Sequence, residues 1–122
     1  MPTNKKTIVI GASSNPERSV YKALSLLKNK GHEIYAIGKK EEEVHGIPIH
    51  GQTTIQQDVD TITIYLNAAN QQQYYPYILS SQAKRIIFNP GAENPELKAL
   101  AQYHGIQTED ACTLVLLQTG QY

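Results

Sequence analysis

Short β-branched runs alternate with helical segments along this chain, and this alternation limits the possible folds more than any other feature. Strands are predicted at residues 7–10, 33–37, 61–66, 85–88 and 106–109. Segments 16–30, 69–81 and 94–105 carry helical spacing, helix-opening prolines or helix-ending glycines. Since each helix would connect two strands, the pattern predicts an α/β fold. We expect a doubly wound parallel sheet in a three-layer α/β/α sandwich, with ligands at the carboxyl ends of the strands.

Particular residues mark the ends of the predicted helices. Asn15 supplies an N-cap and Pro16 suits the first position of the first helix, while Gly31 is suited to end it. Pro76 would break a helix interior but suits a first turn, so the start of the second helix within residues 69–81 stays open. Glycines and a proline interrupt residues 44–55, which predicts irregular chain with one short strand.

Length, charge and cysteine content narrow the class of protein. The 122 residues suffice for one domain, residues 1–122, without room for a second. Eleven Lys and Arg balance eleven Asp and Glu, so no overall field favours nucleic acid or an anionic membrane as a partner. The chain has one cysteine, no leader pattern at its start and only short apolar runs such as 113–117. These features predict a cytoplasmic protein without a disulfide framework or a membrane span.

The turn between the first strand and the first helix is the leading candidate site. It reads Gly11-Ala12-Ser13-Ser14, and Arg18 follows in the predicted first helical turn. Backbone amides at such a junction and the positive end of the helix dipole favour phosphate, and an arginine can add a bidentate contact. The alternative is an ordinary capped turn with a surface arginine. Because this is the first turn of an α/β sheet, we favour phosphate binding.

Lysines follow the second strand where an NAD site would have an acidic residue. A dinucleotide fingerprint has three glycines in G-x-G-x-x-G and an acidic residue at that point. Here only Gly11 is present, and the second strand ends in Gly38-Lys39-Lys40. The lysines could pair with the ribose phosphate of NADP or coenzyme A, which NAD lacks. They could equally belong to a solvated charged turn with residues 41–43.

A second turn between strand and helix is also a candidate. Asn89, Pro90 and Gly91 follow the strand at 85–88, and Leu66 and Asn67 end the neighbouring strand. Together these residues could line the other side of the same crevice. The alternative is a turn selected for tight geometry and for capping the next helix.

The residues that most often carry catalysis or bind metal show no supporting pattern. Cys112 has no base beside it in the sequence, so we expect a small buried or half-buried cysteine rather than a nucleophile. The four histidines lack metal-ligand spacing; they are His32, His45, His50 and His104. We therefore assign neither a catalytic residue nor a metal site.

The sequence resembles the small stand-alone CoA-binding proteins related to the nucleotide-binding domain of the succinyl-CoA synthetase alpha subunit. The resemblance rests on four blocks in order: VIGASSNPERSVYKALSLLKNKGHEIYAI, IYLN, IIFNPGAENPELKALAQYHGI and EDAC. It implies a Rossmann-like fold that binds the phosphorylated ADP part of coenzyme A at Gly11, Ala12, Ser13 and Arg18, with Tyr21 nearby. It also implies that the pantetheine arm passes the later turns.

Two departures from the family pattern concern the two ends of the ligand. Many members have an Asn-Pro pair where this chain has Gly38-Lys39, which affects the adenosine side. Many also have an aromatic-x-Gln-x-Gly turn where this chain has Phe88-Asn89-Pro90-Gly91, which affects the acyl or thiol end.

Three functions stay open at this point. The resemblance favours binding of coenzyme A or an acyl-CoA without independent catalysis, because the phosphorylated histidine of the related ligases lies outside this domain. The main alternative is an NADP-dependent or other nucleotide-dependent enzyme. The third is a homodimer or a subunit of a larger assembly, with the Tyr-rich helix near residues 74–77 or the segment 113–122 as its contact surface.

Overall fold

A computed structural model describes residues 4–122 and contains the predicted alternation of strands and helices. Residues 1–3 lie outside the described residues. The predicted domain boundary at residue 1 and the prediction about the start of the chain fall on them. In chain order the elements are β1 (Thr7–Ala12), α1 (Ser19–Asn29), β2 (Ile34–Gly38), β3 (Glu42–Val44), β4 (Ile47–His50), β5 (Thr61–Ile64), α2 (Ala68–Gln71), α3 (Tyr75–Ser80), β6 (Arg85–Phe88), α4 (Pro95–Tyr103), β7 (Gln107–Asp110) and α5 (Thr113–Gln118). A 3-10 turn, Gln72–Tyr74, joins α2 to α3.

The strands form one seven-stranded sheet in the order β3-β4-β2-β1-β5-β6-β7. All neighbours pair in parallel except β3, which runs antiparallel to β4. From β1 the chain builds outward through β2 and β4, then crosses back and builds the other half through β5, β6 and β7. This reversal is the topological switch point of a doubly wound sheet, so the predicted fold is confirmed.

Apolar side chains cover both faces of the sheet. Ile8 and Ile10 of β1 point into a core with α3 and α4, whereas Val9 points into a second core with α1 and α5. All four residues of β5 are buried, including its two threonines. A central parallel strand is covered on both sides, which explains why its sequence is a continuous β-branched run.

The first helix begins three residues later than predicted. Asn15 does cap a turn, but its side chain accepts from the Glu17 amide at 3.0 Å and its carbonyl accepts from the Arg18 amide at 3.1 Å. These bonds close a tight turn in front of the helix, so α1 starts at Ser19. Its predicted end is confirmed: Gly31 has a φ of +84°, and the His32 amide donates to the Leu27 carbonyl.

Two short elements differ from the prediction. The stretch predicted to hold one strand forms the hairpin of β3 and β4, with His45 and Gly46 at positive φ in its turn. The segment 113–122, one of the two contact surfaces considered for an assembly subunit, contains the unpredicted helix α5, whose Thr113 and Leu117 are buried. Among residues 4–122, no helix is long and apolar enough to cross a membrane.

Candidate functional site

The predicted site residues lie at or after the carboxyl ends of four parallel strands. The turns after β1, β2, β5 and β6 therefore lie along one edge of the sheet. The switch point falls between β1 and β5, and this is where a doubly wound sheet forms its ligand crevice. The structure thus brings the two predicted turns, together with the lysines after β2, to the same edge.

Gly11 allows β1 and the turn after β5 to approach closely. Its φ is +93°, and the β1–β2 register shifts between Ile10 and Ala12. A Cβ atom at this position would lie 3.2 Å from the Leu66 backbone nitrogen and from its side chain. Glycine is therefore required for the approach, and Leu66 packs directly over the start of the candidate phosphate loop.

The loop from Ser13 to Arg18 leaves the first turn of α1 open. Ser13 Oγ accepts from the Asn15 amide at 3.1 Å, which shapes the loop from within. Arg18 occupies the N-cap position in extended conformation, and its side chain makes no capping hydrogen bond. Ser14 through Ser19 are exposed, and the first turn contains no acidic side chain. Free helix amides beside an exposed arginine form an arrangement that can bind phosphate oxygens.

Gly38 fits tightly where β2 ends. A Cβ atom there would lie only 2.7 Å from the Ala12 carbonyl oxygen and 2.7 Å from Ile49 Cγ2. Lys39 and Lys40 follow as exposed residues, and within the described chain neither forms an ion pair. Two free cations therefore stand beside the end of β1.

A cleft opens next to these lysines, beside β2 and β4. The rings of Tyr35 and His50 stack with centroids 4.6 Å apart and form one of its walls. The cleft has a volume of about 510 Å³ and is also lined by Lys40, Glu41 and Gln52. Glu41 accepts from the Gly51 amide and lies 3.8 Å from His50 Nδ1, so its carboxylate is held by the protein. A flat aromatic wall beside a free lysine can accommodate an aromatic ring that carries an anionic group.

Tyr21 contacts a neighbouring element rather than standing free. Its ring packs against the His45 ring with centroids 4.4 Å apart, and His45 Nε2 lies 3.2 Å from the Tyr21 carbonyl oxygen. Lys28 adds a bond to the His45 carbonyl at 2.6 Å. These contacts attach the β3–β4 turn to α1.

The side chain of Asn89 is also engaged in contacts within the protein. It is buried, and its Nδ2 donates to Thr63 Oγ1 at 2.7 Å and to the Ile64 carbonyl at 2.9 Å. Its Oδ1 accepts from the Thr113 amide at 2.8 Å. All hydrogen atoms of this side-chain amide are thus engaged, while the adjacent Pro90 and Gly91 are exposed. Asn89 holds the start of α5 against β5.

Sequence reasoning missed the residue that joins the turns after β5 and β6. Gln71 is fully buried, and its Nε2 donates to the Leu66 carbonyl at 2.8 Å and to the Ala92 carbonyl at 2.7 Å. Its Oε1 accepts from Asn94 at 2.9 Å. Asn94 Oδ1 also caps α4 by accepting from the Leu97 amide at 3.1 Å. The run of glutamines at 71–73 gave no indication that one of them is central.

Tyr65, Asn67 and Cys112 also follow strand ends at this edge of the sheet. The Tyr65 hydroxyl is buried without a hydrogen-bond partner among residues 4–122, and burial raises the pKa of Tyr65 above its usual range. Asn67, also at this edge, caps α2 by accepting from the Asn70 amide at 3.0 Å. Cys112 is half-buried just before α5. No group of three His, Cys, Asp or Glu in the described part of the chain could hold a metal.

Comparison with known proteins identifies a family and several structural neighbours. A family model described as a CoA binding domain matches residues 5–118. No curated protein matches this chain. A crystal structure of an uncharacterized protein is 42% identical, with a TM-score of 0.94, and the match covers 98% of this chain and 99% of that one.

Two more distant structures share the fold. A hypothetical protein from Pyrococcus horikoshii OT3 is 22% identical with a TM-score of 0.85, over 95% of this chain and 83% of that one. The dinucleotide forming Acetyl-coenzyme A synthetase 1 of Ca. Korarchaeum cryptofilum, in complex with phosphate and ADP, is 19% identical with a TM-score of 0.68. That match covers 88% of this chain and 26% of the synthetase.

Proposed function

The chain belongs to the family of CoA binding domains, and from this membership we propose that it binds coenzyme A or an acyl-CoA without independent catalysis. One observation carries the placement of the ligand. The amides at the start of α1 have no side-chain cap and lie beside exposed Arg18, at the switch point of the sheet. A pyrophosphate there would accept hydrogen bonds from the loop and helix amides and pair with the guanidinium. Gly11, Ala12, Ser13 and Ser14 form the rest of this loop.

The adenosine end of the ligand would lie on the β2 side of the loop. Lys39 and Lys40 form no ion pair with any other residue from 4 to 122, and a ribose phosphate is the anion that they would pair with. The cleft walled by Tyr35 and His50 adjoins Lys40 and offers a flat surface for a base. Tyr21 would act indirectly, because its ring supports the neighbouring hairpin.

The pantetheine arm would leave in the other direction, across the turns after β5 and β6. Leu66 is half-buried over Gly11, and Asn67, Pro90 and Gly91 are exposed along the same edge. Asn89 would position this region from beneath, since its side-chain amide is engaged with Thr63, Ile64 and Thr113. The protein would then serve as a carrier, sensor or regulatory module that holds the ligand.

A thermal-shift comparison of five ligands tests the proposal. Coenzyme A, acetyl-CoA, dephospho-CoA, NADP and NAD are compared at equal concentrations, because a ligand that binds only the folded state raises the Tm by mass action. Coenzyme A and acetyl-CoA are expected to stabilise the protein, and dephospho-CoA to stabilise it less. Stabilisation by NADP alone would contradict CoA binding and favour a nucleotide-dependent enzyme. No shift with any ligand would favour the role of an assembly subunit.

Substitution of Arg18 tests the position of the phosphates. Arg18→Ala is expected to weaken coenzyme A binding by about 1.5 to 3 kcal/mol, the range for a hydrogen bond to a charged group. Calorimetry gives the affinity directly. Lys30→Ala is the control, because it removes the same charge at the other end of α1, about 18 Å away along the helix axis. Equal affinities for wild type and Arg18→Ala would remove Arg18 from the site.

A further inference from the structure

A cluster of side chains surrounds Tyr122 at the amino edge of the sheet, opposite the proposed ligand site. The Tyr122 hydroxyl lies 2.5 Å from Thr7 Oγ1, and Lys5 Nζ donates to the Tyr122 carbonyl at 2.5 Å. The Tyr122 ring lies over the Arg85 guanidinium at 4.7 Å and meets the His32 ring edge-on at 5.1 Å. We call these five residues the Tyr122 latch.

Helix α5 connects the latch with the ligand edge. At its start, the Thr113 amide donates to Asn89 Oδ1 at 2.8 Å. After its end, the Tyr122 amide donates to the Leu116 carbonyl at 3.1 Å, which ties the latch to the last turn. Between them, Leu117 is buried in the core that α5 shares with α1. This short helix is therefore held by polar contacts at both ends, and a change at Tyr122 acts on one of them.

His32 accepts the hydrogen bond that closes the latch at the backbone. Its Nδ1 accepts from the Lys5 amide at 2.9 Å, so this nitrogen carries no proton when the latch is closed. A protonated histidine has an N–H at both ring nitrogens. Protonation would therefore turn Nδ1 into a donor that faces another donor, and the contact with Lys5 would have to open.

The charges around His32 oppose its protonation. Burial lowers the pKa of His32 below 6.5, and so does Lys5, while Lys30 and Arg85 act in the same direction. Asp60 is the carboxylate that acts against them. The nearby Glu33 is 3.5 Å from Lys6 and is thus already paired. Protonation would place a positive charge near three cations, Lys5, Lys30 and Arg85, which lie on three different segments. The closed latch therefore requires neutral His32.

We propose that the Tyr122 latch is a pH-sensitive device, in which protonation of His32 breaks the bond from the Lys5 amide, releases Tyr122 and loosens α5. A groove of about 610 Å³ borders the latch and is lined by His32, Leu117, Gly120 and Tyr122 among others. It gives water access to the imidazole and room for the Tyr122 ring to leave. The device does not depend on which ligand occupies the opposite edge.

Amide hydrogen exchange at two pH values tests the latch. Wild type is compared with His32→Asn, whose side-chain oxygen can accept from the Lys5 amide but cannot titrate. Comparison at equal pH cancels the intrinsic pH dependence of exchange. At about pH 7.5 the two proteins are expected to exchange alike in residues 113–122, whereas at about pH 5 wild type should exchange roughly tenfold faster there. An identical ratio of rates at both pH values would overturn the proposal.

A control variant at another histidine and an NMR titration complete the test. His104→Asn changes an exposed histidine at the end of α4 and should keep the wild-type response. If His32→Asn fails to fold, NMR of the wild type still decides the matter. The Lys5 and Tyr122 amide shifts are expected to change with the same midpoint as the His32 ring. Titration of the ring without a change at Tyr122 would overturn the latch.

Discussion

At the scale of single residues, Gly38 at the end of β2 packs tightly against the phosphate loop and β4. Gly38 does not have a positive φ, so its neighbours rather than its backbone conformation require a glycine at this position. The Ala12 carbonyl is a backbone atom of the phosphate loop and cannot rotate away. The side chain that an alanine adds at Gly38 must therefore displace either this loop or β4.

We expect Gly38→Ala to lower the free energy of unfolding by about 1 to 3 kcal/mol, the usual cost of overpacking. Urea denaturation measures it. Gly51→Ala is a suitable comparison, because the nearest atom to its Cβ is the flexible Glu41 carboxylate at 3.2 Å. Equal stability of Gly38→Ala and wild type would mean that β2 shifts without cost.

Tyr77 makes the free energy of unfolding vary with pH in the alkaline range. Its hydroxyl donates to the Thr54 carbonyl at 2.7 Å, and burial raises the pKa of Tyr77 from 10.0 to about 12. The unfolded chain loses this proton first, so the contribution of Tyr77 is complete below pH 10.0 and disappears as the pH rises to about 12. Tyr77→Phe should be less stable than wild type at pH 9, and the difference should shrink toward pH 12. Urea denaturation across this range measures the difference, and a constant difference would contradict the assignment.

At the level of elements, one buried amide holds the turns after β5 and β6 together. Gln71→Leu keeps the size of the side chain but removes the donor to the Leu66 and Ala92 carbonyls and one of the two acceptors of the Asn94 side-chain amide. We expect a loss of about 2 to 4 kcal/mol in the free energy of unfolding, because buried polar groups lose their hydrogen bonds. The exposed neighbour Gln72 provides the control as Gln72→Leu. Similar stabilities of the two variants would exclude a central role for Gln71.

The elements that sequence patterns predicted well are those with strong local signals. β1 and β5 are continuous β-branched runs, and α1 and α4 end in glycines with positive φ. Only one short strand was predicted where the β3–β4 hairpin lies, and α5 was missed, because three to six residues are too few to show a period. Their stability comes from tertiary contacts, such as Lys28 with the His45 carbonyl and Leu117 with the core on α1.

The candidate site was predicted at the level of turns but not of individual side chains. Strand–turn–helix junctions were visible in the sequence, and the parallel sheet places them at one edge. The sequence alone did not indicate that Asn89 faces inward to Thr63 and Thr113, or that Tyr21 turns to His45. Such contacts join residues more than twenty positions apart, and no local pattern encodes them.

At the scale of the whole molecule, the balance of charges makes the proposed anion site a local feature. Lys plus Arg equal Asp plus Glu, so the attraction of an anion depends on Arg18, Lys39 and Lys40 rather than on net charge. We expect coenzyme A binding to weaken as the salt concentration rises, because these side chains are exposed.

The double variant Lys39→Ala/Lys40→Ala should show a smaller dependence of the coenzyme A Kd on salt than wild type. Calorimetry at low and high salt measures both slopes. Lys84→Ala, an exposed lysine just before β6, at the opposite edge of the sheet, controls for a general loss of charge. A salt dependence unchanged in the double variant would place the ligand phosphates elsewhere.

The antiparallel strand β3 has a consequence for the behaviour of many copies in solution. It is an outer strand of the sheet, so one row of its backbone groups is left for another strand to pair with. Its sequence begins with Glu42 and Glu43, directly after Glu41. A second β3 that approached in antiparallel register would set carboxylates opposite carboxylates, which destabilises cross-strand pairing. The hairpin that ends the sheet thereby also discourages its growth into fibres through this edge.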